Sequence, residues 1–191
     1  MNPIIIYVHG AGATPRSFAF IQATLPEHDI IPFAYNTNVS STIAIAALAE
    51  LANAQDRPVS IVAHSLGGLV SVNAAHLTSQ IARVFSIASP YGGSKAAHYL
   101  RWLFSSTLLD DLNPYSTLVR NTIGRALPCP VEAVVTDAGA LPFMSEPNDG
   151  VVTVQSQTSL PGAIIHPMHT NHFEALLSDE VVSKIKTFIF E

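Results

Sequence analysis

The stretch Val59-Ser60-Ile61-Val62-Ala63-His64-Ser65-Leu66-Gly67-Gly68 sets one serine among small residues, between a β-branched apolar run and a helical pattern. That arrangement suits a nucleophile. A serine on a sharp strand-to-helix turn is held in a strained, accessible position that only small neighbours two residues either side allow. The N-terminus of the new helix lies beneath it, so the Leu66 amide and the helix dipole favour a developing negative charge. A serine that merely capped a helix would need neither Gly67-Gly68 behind it nor an apolar strand directly before it. His64, adjacent in the chain and pointing elsewhere, reads as a packed or rim residue rather than a base.

His9-Gly10-Ala11-Gly12 follows the first apolar run, Ile4–Val8. A glycine-rich turn there can turn a backbone N–H toward the serine and complete a two-donor oxyanion site with Leu66. A bland strand-end turn looks similar, and only the pairing with Ser65 gives the loop its meaning. His9 itself is read as ordering the loop. A base should lie between the last strand and the last helix, where His166, His169 and His172 all fall. The acid that orients it must be a loop carboxylate beyond a late strand, and Asp149, Asp137, Glu146 and Asp111 are the candidates. Asn148-Asp149-Gly150 is also ordinary turn chemistry, whatever its function.

Taken together, these segments resemble the α/β-hydrolase superfamily, and within it the small bacterial lipases and lipase-like esterases. The matching residues are His9-Gly10-Ala11-Gly12 with Phe18, Ala63-His64-Ser65-Leu66-Gly67-Gly68, Ser89-Pro90 with Gly92-Gly93-Ser94, Asp111-Leu112-Asn113-Pro114, Asn148-Asp149-Gly150-Val151-Val152 and His172-Phe173. They span nearly the whole chain in the family's order. Ala63 replaces the first glycine of the usual G-x-S-x-G, as in that lipase branch. The resemblance implies a triad of Ser65, Asp149 and His172, with Ala11 and Leu66 supplying the oxyanion amides. It also implies acyl transfer from a small-molecule or lipid-like ester to water, with no metal or organic cofactor. An acyltransferase, thioesterase or amidase would carry the same triad, and a non-catalytic binding protein could keep the fold.

The elements that must position these residues follow an α/β alternation, which predicts a mostly parallel sheet with helices on both faces. Strands are expected at Ile4–Val8, Ile30–Phe33 (near an edge, because of Pro32), Val59–Ala63, Ile81–Ala88, Val131–Thr136, Val151–Val154 and Ala163–His166. Helices are expected after Thr14-Pro15, from Ser41 or Thr42 with Ile43, Ala47, Leu48 and Leu51 on one face, over Leu66–Leu77, near Ser116–Ile123, and after Ser178. In that last helix Val181, Val182, Ile185 and Ile189 face the core. Residues 89–130 are far longer than the 10–12 or so residues a crossover needs. The reading is one domain, residues 1–191. A helical excursion at 91–125 is expected to form a partly mobile cap beside Ser65, with Trp102 and Phe104 lining an acyl pocket.

Composition excludes several other classes. Of 191 residues, 48% are hydrophobic and 12% charged, the balance of a buried core rather than a disordered chain. Nine Lys and Arg are scattered against a net charge of −5, so nothing lines a phosphate backbone and nucleic acid is not expected as a partner. Cys129 is the single cysteine, which rules out an intrachain disulfide. The start of the chain lacks the features of a signal peptide. No apolar run reaches the roughly 20 residues of a membrane span. The expectation is a soluble, cytoplasmic chain.

Overall fold

The computed structural model describes residues 2–94, 107–140 and 145–191. Six strands form one parallel sheet: β1 (Ile4–Val8), β2 (Asp29–Phe33), β3 (Val59–His64), β4 (Ile81–Ile87), β5 (Val131–Thr136) and β6 (Ile164–Met168). Their spatial order is β2-β1-β3-β4-β5-β6. Pro32 lies in β2, an edge strand with one neighbour, where a missing N–H need not break a ladder. The helices are α1 (Ala19–Thr24), α2 (Ser41–Asn53), α3 (Leu66–Ala75), α4 (Thr107–Asp111), α5 (Thr117–Ile123), α6 (Val154–Gln157) and α7 (Asp179–Phe190). No helix among the described residues is long and apolar enough to cross a membrane.

Alternation along the strands divides the core. Ile4, Ile6, Val8 and Ile61 pack with Leu48 and Leu69 from α2 and α3, whereas Ile5, Tyr7 and Val62 pack with Ile21, Val181 and Ile185 from α1 and α7. Helices thus cover both faces, as the α/β alternation predicts. The chain leaves β1 toward β2 and leaves β3 toward β4, in opposite directions along the sheet. Such a switch point opens a crevice at the carboxyl ends of the two strands. Ser65 and the His9–Gly12 loop both sit there.

Two expectations need correction. Residues 151–154 form no strand: Thr153 caps the short helix α6 by accepting the Ser156 amide, and the Val151 and Val152 amides are taken by the Asp149 side chain rather than by a ladder. In α2 the buried face is Ala44, Ile45, Leu48, Ala49 and Ala52, while Ile43 is 63% exposed. The helix is apolar almost all round, so periodicity alone could not choose its face. In α7 the predicted residues Val181, Val182, Ile185 and Ile189 are the buried ones.

The described part of the 91–125 excursion is anchored to the helical layer. Val119 and Thr122 are buried, Asn73 Nδ2 donates to Thr122 Oγ1 at 2.6 Å, and the Asp111 carboxylate accepts the Ser41 amide at the start of α2, at 2.6 Å. Tyr99, Trp102 and Phe104 lie outside the described residues.

Candidate active site

Ser65 joins β3 to α3 with φ 53° and ψ −124°. An L-residue held there stores about 1–3 kcal/mol of strain, which the surroundings must overcome. They do so through the sheet and through close packing. The Ser65 amide donates to the Ile87 carbonyl at 2.9 Å, and the Ser65 carbonyl accepts the Gly68 amide at 3.0 Å. A Cβ on Gly67 would lie 2.1 Å from the Val8 carbonyl oxygen, and one on Gly68 would lie 2.1 Å from Ser89 Oγ. The two glycines let α3 press onto β1 and onto the chain after β4, which is what fixes the turn. Ala63 is fully buried in its place.

The loop after β1 closes over this turn. A Cβ on Gly10 would come within 2.9 Å of Ser65 Cβ. Gly12, at φ +66°, donates to Thr37 Oγ1 at 3.0 Å. His9 holds the loop: its ring stacks on Tyr35 at 4.5 Å, Nδ1–H donates to the Gly10 carbonyl at 2.9 Å, and Tyr35 Oη donates to the His9 carbonyl at 2.7 Å. Burial lowers the His9 pKa although the Gly10 carbonyl opposes this, so the ring is neutral. Among the described residues, neither the Ala11 nor the Leu66 amide donates to a protein acceptor.

The three late histidines each pair with an acid, and the pairs differ in burial. His172 Nδ1 lies 2.7 Å from Asp149 Oδ2, with side chains only 3% and 0% exposed. His169 Nδ1 meets Asp137 at 2.8 Å with its ring 86% exposed. His166 Nε2 meets Glu132 at 2.6 Å along the sheet edge. Asp111 is committed to α2, and Glu146 contributes its carbonyl to the Asn148 side chain. The Asp137–His169 and Asp149–His172 alternatives are therefore both real contacts, but one is solvated and the other is enclosed.

Asp149 is enclosed with donors. Oδ1 accepts the Val151 and Val152 amides at 2.9 and 2.7 Å, and Oδ2 accepts Thr136 Oγ1 at 2.7 Å and Gln157 Nε2 at 3.4 Å besides His172. Burial alone would raise its pKa. Hydrogen bonds and charge from His172, with Val152 and Thr136, outweigh that and lower it, so the carboxylate is ionised at neutral pH. An ionised carboxylate only accepts, so in the neutral His172 ring the proton sits on Nδ1 and Nε2 is the free acceptor. Backbone contacts reinforce the pair, with the His172 amide donating to the Asp149 carbonyl at 3.1 Å.

The loop that carries His172 reaches the Ser65 turn through His64. Its Nε2 lies 3.0 Å from the His172 carbonyl oxygen, with ring centroids 4.7 Å apart. Ser65 Oγ itself has no hydrogen-bond partner among the described residues. Contacts of that kind are often long before substrate binds. Sequence reasoning missed Thr136 and Gln157, and gave Phe173 no role beyond its place in the family match. Thr136 had a signal, being a polar residue at the carboxyl end of a buried strand. Gln157, between the strands expected at 151–154 and 163–166, had none. Phe173 is 65% exposed and stands edge-on to the His172 ring at 5.1 Å, an apolar rim at the base. Among the described residues no cluster of three or more His, Cys, Asp or Glu side chains could hold a metal ion.

No protein-family model matches the chain, and no curated protein matches it. Solved structures do. A lipase from Bacillus licheniformis, BlEst2 in its mature form, superimposes with a TM-score of 0.73 at 18% identity, over 97% of this chain and 91% of that one. The metagenomic carboxyl esterase MGS0156 gives 0.71 at 18% identity over 90% of this chain, which spans 64% of that esterase. The thioesterase domain from the curacin biosynthetic pathway gives 0.65 at 12% identity, over 99% of this chain and 91% of that domain. At these identities the likeness speaks for the fold.

Proposed function

We propose that this chain, which has the α/β-hydrolase fold, is a serine hydrolase of carboxylic esters, carboxylesterase- or lipase-like, with Ser65, His172 and Asp149 as its triad. The observation that carries the reading is the enclosed Asp149–His172 pair, tied through His64 to the turn that bears a strained serine. In the reaction, His172 Nε2 takes the Ser65 proton as Oγ attacks the ester carbonyl carbon. The Ala11 and Leu66 amides hold the resulting oxyanion, and Asp149 stabilises the imidazolium. His172 then gives its proton to the alkoxide, the alcohol leaves, and the acyl group stays on Oγ. A water molecule, deprotonated by His172 in turn, attacks that acyl group and releases the acid.

The experiment is labelling with a fluorophosphonate probe, mapped by mass spectrometry, together with hydrolysis of p-nitrophenyl esters of rising chain length. The adduct is expected on Ser65, and Ser65→Ala should fold normally and lose nearly all turnover. An adduct on another serine would overturn the assignment. The likeness to a thioesterase domain favours one second reading with the same triad, and comparing acyl thioesters with oxygen esters of equal chain length separates the two.

A further inference from the structure

We propose that His64 is a positioning residue, which fixes the base relative to the nucleophile by donating its Nε2–H to the His172 carbonyl. This rests on the hydrolase reading of the site. The acid–base pair and the serine belong to different parts of the sheet. Ser65 leaves β3 in the interior, whereas His172 follows β6 at the edge and Asp149 is clamped to the end of β5. Asp149 orients the base within its own loop through the ring Nδ1 and the backbone N–H. It does not touch the serine turn. Among the described residues, the contact at 3.0 Å from His64 is the only hydrogen bond joining residues 59–75 to residues 169–178. His64 precedes Ser65 in the chain, so it ties His172 to the nucleophile's own backbone. With that third tie, the amide, the carbonyl and the ring of His172 are all held.

The surroundings also decide which form of His64 can do this. A carbonyl only accepts, so the proton sits on Nε2 and Nδ1 is bare. Nδ1 is buried without a partner, and it faces Gly10, where even a methyl group would lie 3.2 Å away. No acceptor awaits a second proton. The ionisable groups nearest the ring are His172 and Asp149, and Phe173 closes it at 6.2 Å. Burial first, then the neighbouring His172, hold the His64 pKa down to about 4, with the His172 carbonyl and Asp149 opposing. While His172 takes the Ser65 proton in the reaction, His64 therefore remains a neutral donor. It neither competes for that proton nor sets a second positive charge beside the imidazolium.

The test uses the full chain with ring-¹⁵N histidine, and the variants His64→Leu and His64→Gln. In the wild type, the His64 ring should be the Nε2–H tautomer and should not titrate between pH 5.5 and 9. His64→Leu removes the donor, and should lower kcat on p-nitrophenyl butyrate roughly 10- to 100-fold, the scale of a small misplacement of reacting groups, with little change in KM. His64→Gln, whose amide can reach the same carbonyl, should recover most of that loss and keep the His172 Nδ1–H resonance that the Leu variant loses or broadens. An Nδ1–H tautomer, titration near neutral pH, or equal kcat in the Leu variant and wild type would overturn the proposal. So would equal impairment in both variants. If the wild type is not labelled on Ser65, the hydrolase reading fails by itself. The His172 resonance in the two variants still reports whether His64 positions that ring.

Discussion

Protonation of His64 must weaken the fold, by an amount that its surroundings set. In the unfolded chain its pKa is the ordinary 6.5, and in the folded chain it is held down to about 4. Between these values the unfolded state binds more protons than the folded one, so stability rises with pH across the window. The contribution is complete above about pH 6.5 and is lost as pH falls toward 4. A tenfold difference in proton affinity between the two states is worth about 1.4 kcal/mol, which makes the whole effect roughly 3 kcal/mol, most of it gone by pH 4.5. The His9 pKa is lowered in the same direction, and the lowered carboxyl of Asp149 contributes stability that is lost only at still lower pH. Both remain in His64→Gln, so the difference between variant and wild type isolates His64. The assay is equilibrium urea unfolding of the two proteins at pH 8, 6 and 4.5. The wild type should lose about 2.5 kcal/mol more than the variant between pH 8 and 4.5. Parallel curves would mean that His64 is protonated at little cost, and the argument from its orphaned Nδ1 would be wrong.

Asp149→Asn should keep the loop geometry but leave His172 in the wrong tautomer, costing up to roughly 10⁴-fold in kcat, as in the serine-protease template. Near-normal turnover there, with a large loss in Asp137→Asn, would move the acid to the exposed pair. Gly67→Ala should destabilise the chain by about 3 kcal/mol or more, because its Cβ meets the backbone of β1 and cannot be relieved by a rotamer change; an unchanged melting temperature would refute the account of the turn. Phe173→Ala should leave the melting temperature nearly unchanged, since the ring is exposed, and should lower kcat/KM for long-chain esters about fivefold more than for acetate, a loss of about 1 kcal/mol of apolar contact. An unchanged chain-length profile would remove Phe173 from the substrate path.

Much of this was legible in the sequence where one physical requirement dominated. A strand buried on both faces must be largely apolar, and β1, β3 and β5 stand at or within a residue of their predicted bounds, although β3 carries Ser60 and β5 Glu132. The backbone at Ser65 needs small neighbours, and Ala63, Gly67 and Gly68 announced it. What stayed hidden lay where side chains replace regular structure. Val151 and Val152 have strand propensity, yet their amides serve the Asp149 carboxylate. Propensity could not foresee a tertiary partner. Histidine identity posed the same difficulty, because His166, His169 and His172 all found acids, and only burial distinguishes the pairs.

The two halves of the site are built on different principles. On the nucleophile side, rigidity comes from regular structure: β3 is buried over all six residues between β1 and β4, and α3 is wedged against it at Gly67 and Gly68. Such a frame, with the backbone hydrogen bonds of the sheet and of α3, can hold a residue at φ 53° without help from polar side chains. On the acid side the chain is irregular and lies near the sheet edge, so position has to come from hydrogen bonds. Asp149 receives the Val151 and Val152 amides, and Thr136 and Gln157 brace its other oxygen from β5 and α6. Each donor lost would let burial push the Asp149 pKa upward, and a neutral carboxyl could not favour the imidazolium. The donors that fix Asp149 in space are thus the same ones that keep it charged. Position and electrostatics cannot be separated on this side, and any substitution that removes one of these donors should loosen His172 and raise the Asp149 carboxyl pKa together.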